Sequence, residues 1–174
     1  MSEHHIKRLV LMRHAKAAFP LGVEDHDRPL AQRGHNEAPL AGKWLMDNAV
    51  VPDFILCSSA LRTRQTCTWV CQQLGDKAPT PKLESGLYAA GASAMLAVIN
   101  HVPETVNTLL LISHMPGIQE LALRLAARDS DQHAYMDLAS GFSTSAFAVL
   151  EHDGAWATLD GQDAVLKDFV VPRP

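Results

Sequence analysis

Two short apolar runs in this chain each stop on a histidine. Leu9-Val10-Leu11-Met12 is followed by Arg13-His14, and Leu109-Leu110-Leu111-Ile112-Ser113 is followed by His114. An unbroken apolar run of this length reads as a buried strand, the kind found in parallel sheets covered by helices. The rest of the chain alternates in the same sense. Phe54 to Cys57 reads as a second buried strand. A helix follows it, capped by Ser58 or Ser59 and ended by Gly75 near Leu74. Leu83 to Leu87 reads as a short strand, and Ala92 to Val102 and Ile118 to Ala127 as helices. The alternation predicts an α/β fold with a mostly parallel central sheet and helices on both faces.

Three segments are less regular. A helical pattern reaches Trp44, Leu45 and Met46 but contains Pro39, so that helix is either kinked or regular only from about Pro39. Asp153-Gly154 is a turn signal, which predicts a hairpin between Thr144–Leu150 and Ala155–Leu159. Phe169 to Val171 reads as a last short strand.

With 174 residues the chain is expected to form one domain, spanning residues 1–174. A hydrophobic content of 47% with 20% charged residues excludes disorder as the overall state. The formal net charge of -4 offers no global field for nucleic acid. The first apolar stretch is too short for a signal-peptide core, and no run reaches the length of a membrane span. The expectation is a cytoplasmic protein without a nucleic-acid or membrane partner. His4-His5 carries no chemistry that can be read. Cys57, Cys67 and Cys71 are odd in number and lack framework spacing. They are expected to be small buried residues rather than a disulfide or metal set. The histidines likewise lack metal-ligand spacing, so neither a metal nor another cofactor is expected. Trp44, Trp69 and Trp156 are expected to pack rather than to stack on a ligand.

In open α/β sheets ligands bind beyond the carboxyl ends of the strands. His14, the segment Ser58–Arg62 and His114 each follow a predicted strand, so the topology gathers them at one edge. A neutral imidazole is a good nucleophile near pH 7, and neighbouring guanidinium groups keep it neutral while binding phosphoryl oxygens. His14 is the expected nucleophile, with Arg13 beside it. Arg62 and Arg64 are two residues apart on one helix and cannot both face one pocket. Arg62, nearer the helix N-terminus, is the expected anion ligand. His114 is expected to donate to a phosphoryl oxygen as an imidazolium. Lys16 stands where it can touch phosphate or extend along the pocket rim.

These residues carry a resemblance. Leu11-Met12-Arg13-His14-Ala15-Lys16 resembles the Arg-His signature of the histidine phosphatase (phosphoglycerate mutase-like) superfamily. Asp27–Gly34, Cys57–Thr66 and Ser113–Gly117 resemble further blocks of that family in the same order, and Phe142–Ala146 extends them. The short length and the Arg-His-Ala-Lys variant are similar to the SixA type of phosphohistidine phosphatase. The resemblance implies a three-layer phosphoglycerate mutase-like sandwich in minimal form, without a large lid insertion. It implies that His14 carries the phosphoryl group and that Arg13, Arg62 and His114 surround it. Ala15 stands where many members have glycine, and its small side chain still permits a close backbone approach. Larger members use an acidic residue after the third strand as proton donor. Glu84 is the positional candidate, with Asp25 and Asp27 as rivals. Imidazole leaves as a far less basic nitrogen than an alkoxide, so a phosphohistidine phosphatase can work with a poor acid or none.

The expected function is therefore a phosphatase acting through a covalent phosphohistidine on a phosphorylated protein. The alternatives are a phosphatase of small phosphate esters or nucleotides, and a non-catalytic phosphate-binding module. The sequence does not set the oligomeric state.

Overall fold

The computed structural model describes residues 6–174, so His4 and His5 lie outside the described residues. Its strands are β1 (Lys7–Arg13), β2 (Phe54–Ser58), β3 (Lys82–Glu84), β4 (Thr108–Ser113), β5 (Phe147–His152) and β6 (Val165–Val170). They form one mixed sheet in the order β3-β2-β4-β1-β5-β6. β1 to β4 run parallel, while β5 and β6 are antiparallel to their neighbours.

The helices are α1 (Gln32–Asp47), α2 (Leu61–Leu74), α3 (Ala92–Asn100), α4 (Gly117–Leu125) and α5 (Gln132–Ser140). Strand side chains alternate between two cores. Leu9, Leu11, Leu109 and Leu111 join residues of α3, α4 and α5 on one face. Val10, Met12, Leu110 and Ile112 join residues of α1 and α2 on the other. Helices on both faces of the sheet explain why these strands lack a polar alternation. Truncating any of these central leucines to alanine costs about 2–5 kcal/mol.

β1 and β4 are the centre of the arrangement, paired in register from Arg8↔Thr108 to Arg13↔Ser113. Their carboxyl ends are therefore level. The chain leaves β1 into a long connection that carries a single 3-10 turn at Asp25–Asp27 before α1 begins.

Several expectations need correcting. α1 runs through Pro39 and starts at Gln32, so the proline lies inside it. Close packing on α2 offsets the lost hydrogen bond: a Cβ on Gly42 would lie 2.8 Å from Gln73 Cβ. The expected hairpin partner, Ala155–Leu159, instead holds a 3-10 turn at Trp156–Thr158. β5 pairs with β6, which begins four residues earlier than the predicted last strand. α5 carried no sequence prediction; it is capped by Asp131, whose carboxylate accepts from the Ala134 N–H at 2.9 Å. The short strand expected at Leu83–Leu87 is β3 followed by a 3-10 turn at Ser85–Leu87. α2 has Ala60 at its N-cap and no side-chain cap. Ser58 and Ser59 are engaged elsewhere, by His114 and His26. Cys67 is buried, Cys71 is half-buried, and their sulfurs lie 3.9 Å apart.

Candidate active site

His14 is the first residue past β1, and its N–H donates to the Ser113 carbonyl at 3.1 Å. The β1–β4 ladder thus continues one residue further and fixes the backbone of the histidine. Its Nδ1 lies 2.7 Å from the Ala15 carbonyl oxygen. A carbonyl can only accept, so Nδ1 carries the proton and Nε2 keeps its lone pair. The Ala15 N–H is not free for a ligand; it donates to Thr66 Oγ1 at 2.9 Å, and that hydroxyl donates to the Arg62 carbonyl at 2.8 Å. One threonine on α2 thus ties the nucleophile's peptide to the backbone of Arg62. On the other side the Ser145 N–H donates to the His14 carbonyl at 3.1 Å, and Ser145 takes a left-handed φ of 67° to do so.

Burial pushes the His14 imidazole down to about 3. The Ala15 hydrogen bond opposes this, while His114, Arg62 and Arg13 reinforce it. His14 is therefore neutral across the physiological range.

His114 follows β4 as His14 follows β1, and the two ring centroids are 5.3 Å apart. His114 Nε2 lies 2.7 Å from the hydroxyl of the fully buried Ser58. Its Nδ1 is buried with no partner among the described residues. Burial, then the Arg62 charge, lower this imidazole to about 4. Where the sequence suggests an imidazolium, burial beside a guanidinium favours the neutral ring at His114.

Arg13 ends β1, and its Nη1 donates to the Phe142 carbonyl at 2.8 Å. Its buried Nε has no partner among the described residues. Arg62 is buried in the first turn of α2 and donates to the Asp25 carbonyl at 2.7 Å and to Asp25 Oδ2 at 3.1 Å. Arg64 turns away and donates to the Ser59 carbonyl. Arg28 donates to the Ala18 carbonyl at 3.0 Å and lies 3.6 Å over the ring of Phe19.

His14, His114, Arg13, Arg62, Arg28 and Lys16 line one cleft of about 180 Å³, with Phe19 and Thr144 on its walls. Four cationic side chains line this cleft and no carboxylate does, although the whole chain has a net charge of -4. The local field favours an anion.

The structure does not bring Glu84 to this cleft. Glu84 closes β3, turns its Oε1 to accept the Gly86 N–H at 3.1 Å, and lines a separate cleft beside α3. Asp27 is exposed, 3.7 Å from His26 Nδ1. Asp25 sits at the cleft edge and accepts from Tyr88 Oη at 2.5 Å, from Arg28 at 3.0 Å and from Arg62 at 3.1 Å. These donors, Tyr88 first, hold its carboxyl well below the usual carboxylate range. Ser58, Thr66, Ser145 and Tyr88 were not singled out from sequence. Ser58 and Thr66 lie in the block that holds Arg62, and Ser145 lies in the Phe142–Ala146 block. Among the described residues no group of three or more His, Cys, Asp or Glu side chains is placed to hold a metal.

The fold and this edge define an enzyme of phosphoryl-group chemistry: two neutral histidines at level strand ends, ringed by guanidinium groups. Comparison with known proteins agrees. The sequence model of the histidine phosphatase superfamily (branch 1) matches residues 9–87. Protein Rv1276c of Mycobacterium tuberculosis, itself uncharacterised, is 43% identical over 163 residues, which cover 93% of this chain and all of that protein. A Nakamurella multipartitia structure assigned as the phosphohistidine phosphatase SixA superposes with a TM-score of 0.84 at 34% identity, covering 97% of this chain and 98% of that one. A protein histidine phosphatase SixA complexed with tungstate gives a TM-score of 0.73 at 25% identity, over 95% and 97% of the two chains. The chain belongs to the histidine phosphatase superfamily and is a phosphatase. Among the described residues no helix is long and apolar enough to cross a membrane.

Proposed function

We propose that this phosphatase hydrolyses phosphohistidine in proteins, through a covalent phosphoryl group on His14. The observation that carries the choice of substrate is the composition of the cleft. Its lining holds four cations and no carboxylic acid, and Asp25, bonded to two of those cations, is held ionised. A phosphate ester releases an alkoxide, which needs a strong proton donor at the departing oxygen. A phosphohistidine protonated on its far ring nitrogen releases neutral imidazole and needs no proton at the scissile nitrogen. The likeness to SixA structures supports the same reading.

In the first step the lone pair of His14 Nε2 forms a bond to phosphorus. The phosphorus–nitrogen bond of the substrate breaks, and its electron pair stays on the departing imidazole. The His14 ring becomes cationic, and the Ala15 carbonyl, accepting from Nδ1, stabilises that charge. Arg13 and Arg62 spread the phosphoryl charge, and His114 donates from Nδ1. In the second step water attacks phosphorus. His14 leaves as the neutral tautomer it started from, and inorganic phosphate departs.

The test is a substrate panel in kcat/KM: N-phosphohistidine and a histidine-phosphorylated protein against sugar phosphates, nucleotides and p-nitrophenyl phosphate. Phosphohistidine is expected to exceed the esters by orders of magnitude, and His14→Ala to abolish turnover and acid-labile phosphate on the enzyme. Esters outperforming phosphohistidine would overturn the reading.

A further inference from the structure

We propose that the segment Phe19–Val23, at the mouth of the cleft, is a docking ridge for a protein segment that presents its phosphohistidine between apolar side chains. This inference rests on the phosphohistidine reading above and names what surrounds the substrate residue.

Among the described residues eight large apolar side chains are exposed, and three of them fall within these five positions. Phe19 is 75% exposed, Leu21 101% and Val23 39%. Scattered apolar residues on a surface need no explanation, but a cluster beside a binding cleft does.

The ridge is held out by bonds that leave its side chains uncovered. At its base Ala17 bridges Leu30, and the Ala18 N–H donates to the Pro29 carbonyl at 2.8 Å. Arg28 donates to the Ala18 carbonyl and lies beneath the Phe19 ring. Asp25, fixed by Arg28, Arg62 and Tyr88, anchors the far side. With both flanks held in this way, the five residues between them lose less freedom on binding than a free loop would.

The occupant follows from size and continuity. The cleft, at about 180 Å³, is well below the roughly 300–1,000 Å³ of clefts that enclose whole small ligands. It suits a phosphoryl group and the ring that carries it. Phe19 lines the cleft wall, and Leu21 and Val23 follow it within four residues with their side chains exposed, so a chain that leaves the cleft past Phe19 has them within reach. A small substrate ends before reaching them. A polypeptide chain does not, and apolar side chains next to its phosphohistidine would cover the ridge.

The experiment uses two synthetic peptides, each phosphorylated on a single histidine with phosphoramidate. They differ only in carrying leucines or serines at the flanking positions. N-phosphohistidine and p-nitrophenyl phosphate are the third and fourth substrates. The full chain is expected to favour the leucine peptide about tenfold or more in kcat/KM, through KM. In Leu21→Ser/Val23→Ser that preference should fall to near one, with N-phosphohistidine turnover unchanged. Equal rates on both peptides in the unmodified chain overturn the ridge. So does a preference that survives the double substitution, or an equal loss on N-phosphohistidine. A dimer in sedimentation that the double variant dissociates shows that a second copy covers the ridge, and it overturns the proposal too. Hydrolysis of p-nitrophenyl phosphate without any hydrolysis of N-phosphohistidine is a different result. It defeats the phosphohistidine reading itself, and the ridge proposal falls with it.

Discussion

The hydroxyl of Ser58 lies 2.7 Å from Nε2 of His114, and both side chains are buried at the ends of adjacent parallel strands. His114 is neutral, so it can donate from only one nitrogen at a time. The Ser58 hydroxyl can donate or accept at Nε2, and the first direction is the one that suits catalysis. A serine proton given to Nε2 leaves the hydrogen on Nδ1, the nitrogen without a partner among the described residues. The neutral ring then donates to a phosphoryl oxygen without first being charged.

Ser58→Ala removes the hydroxyl that pairs with Nε2. It leaves His114 free to hold its proton on either nitrogen. Turnover is expected to fall about tenfold or more, in line with roughly 1–3 kcal/mol for a buried polar partner left unpaired. Nitrogen-15 NMR of the His114 ring checks the cause: a single Nδ1–H tautomer in the unmodified chain and a mixture in the variant. An unchanged tautomer would place the effect in packing alone.

Both histidines are lowered from an ordinary value of 6.5, His14 to about 3 and His114 to about 4. The unfolded chain therefore binds more protons than the folded one between those values. Stability should be complete above about pH 6.5 and should fall as the pH drops toward 3. Urea denaturation at pH 7 and pH 5 measures the loss. His14→Ala should reduce it, because a group that no longer titrates no longer contributes. A variant with an undiminished loss would place the acid sensitivity elsewhere.

Glu84 accepts from Gly86 N–H outside the cleft. Glu84→Gln is expected to keep phosphohistidine turnover within about twofold, because general acid catalysis, when present, contributes about 10²–10⁴-fold. A loss of that larger size, measured under saturating substrate, would restore Glu84 as the proton donor.

Gly34 on α1 faces the loop that carries the site. A Cβ there would lie 2.2 Å from the Lys16 carbonyl oxygen, well inside any real contact. Gly34→Ala should cost about 3 kcal/mol or more, at the upper end for an overpacked position. It should also weaken phosphate binding, since Lys16 and Ala15 must move to make room. Chemical denaturation and phosphate titration read the two effects.

The strand ends were legible because β1 and β4 are covered on both faces, so nothing polar interrupts Leu9–Met12 or Leu109–Ile112 before the histidines arrive. β6 was not legible. It is an edge strand, and its exposed Lys167 and Asp168 hide the apolar pattern while guarding that edge. α5 buries only Ala134 and Leu138, too little for a helical period to show. Ser58 and Ser59 looked like caps because local chemistry predicts caps; their bonds to His114 and His26 are made across the fold. Asp25 and Tyr88 are 63 residues apart and meet only when β3 is placed beside β2. No spacing in the chain announces that pair.

The pairing of Arg13 with Ser113 has a further consequence. The interval between the two histidines is measured by a hydrogen-bonded ladder, and chain length between them matters little. Insertions in connections remote from the cleft should therefore leave that interval unchanged, while loss of one residue inside β4 should reverse the alternation and turn one histidine's neighbours inside out. The sheet acts as a ruler, and the active site is its zero mark.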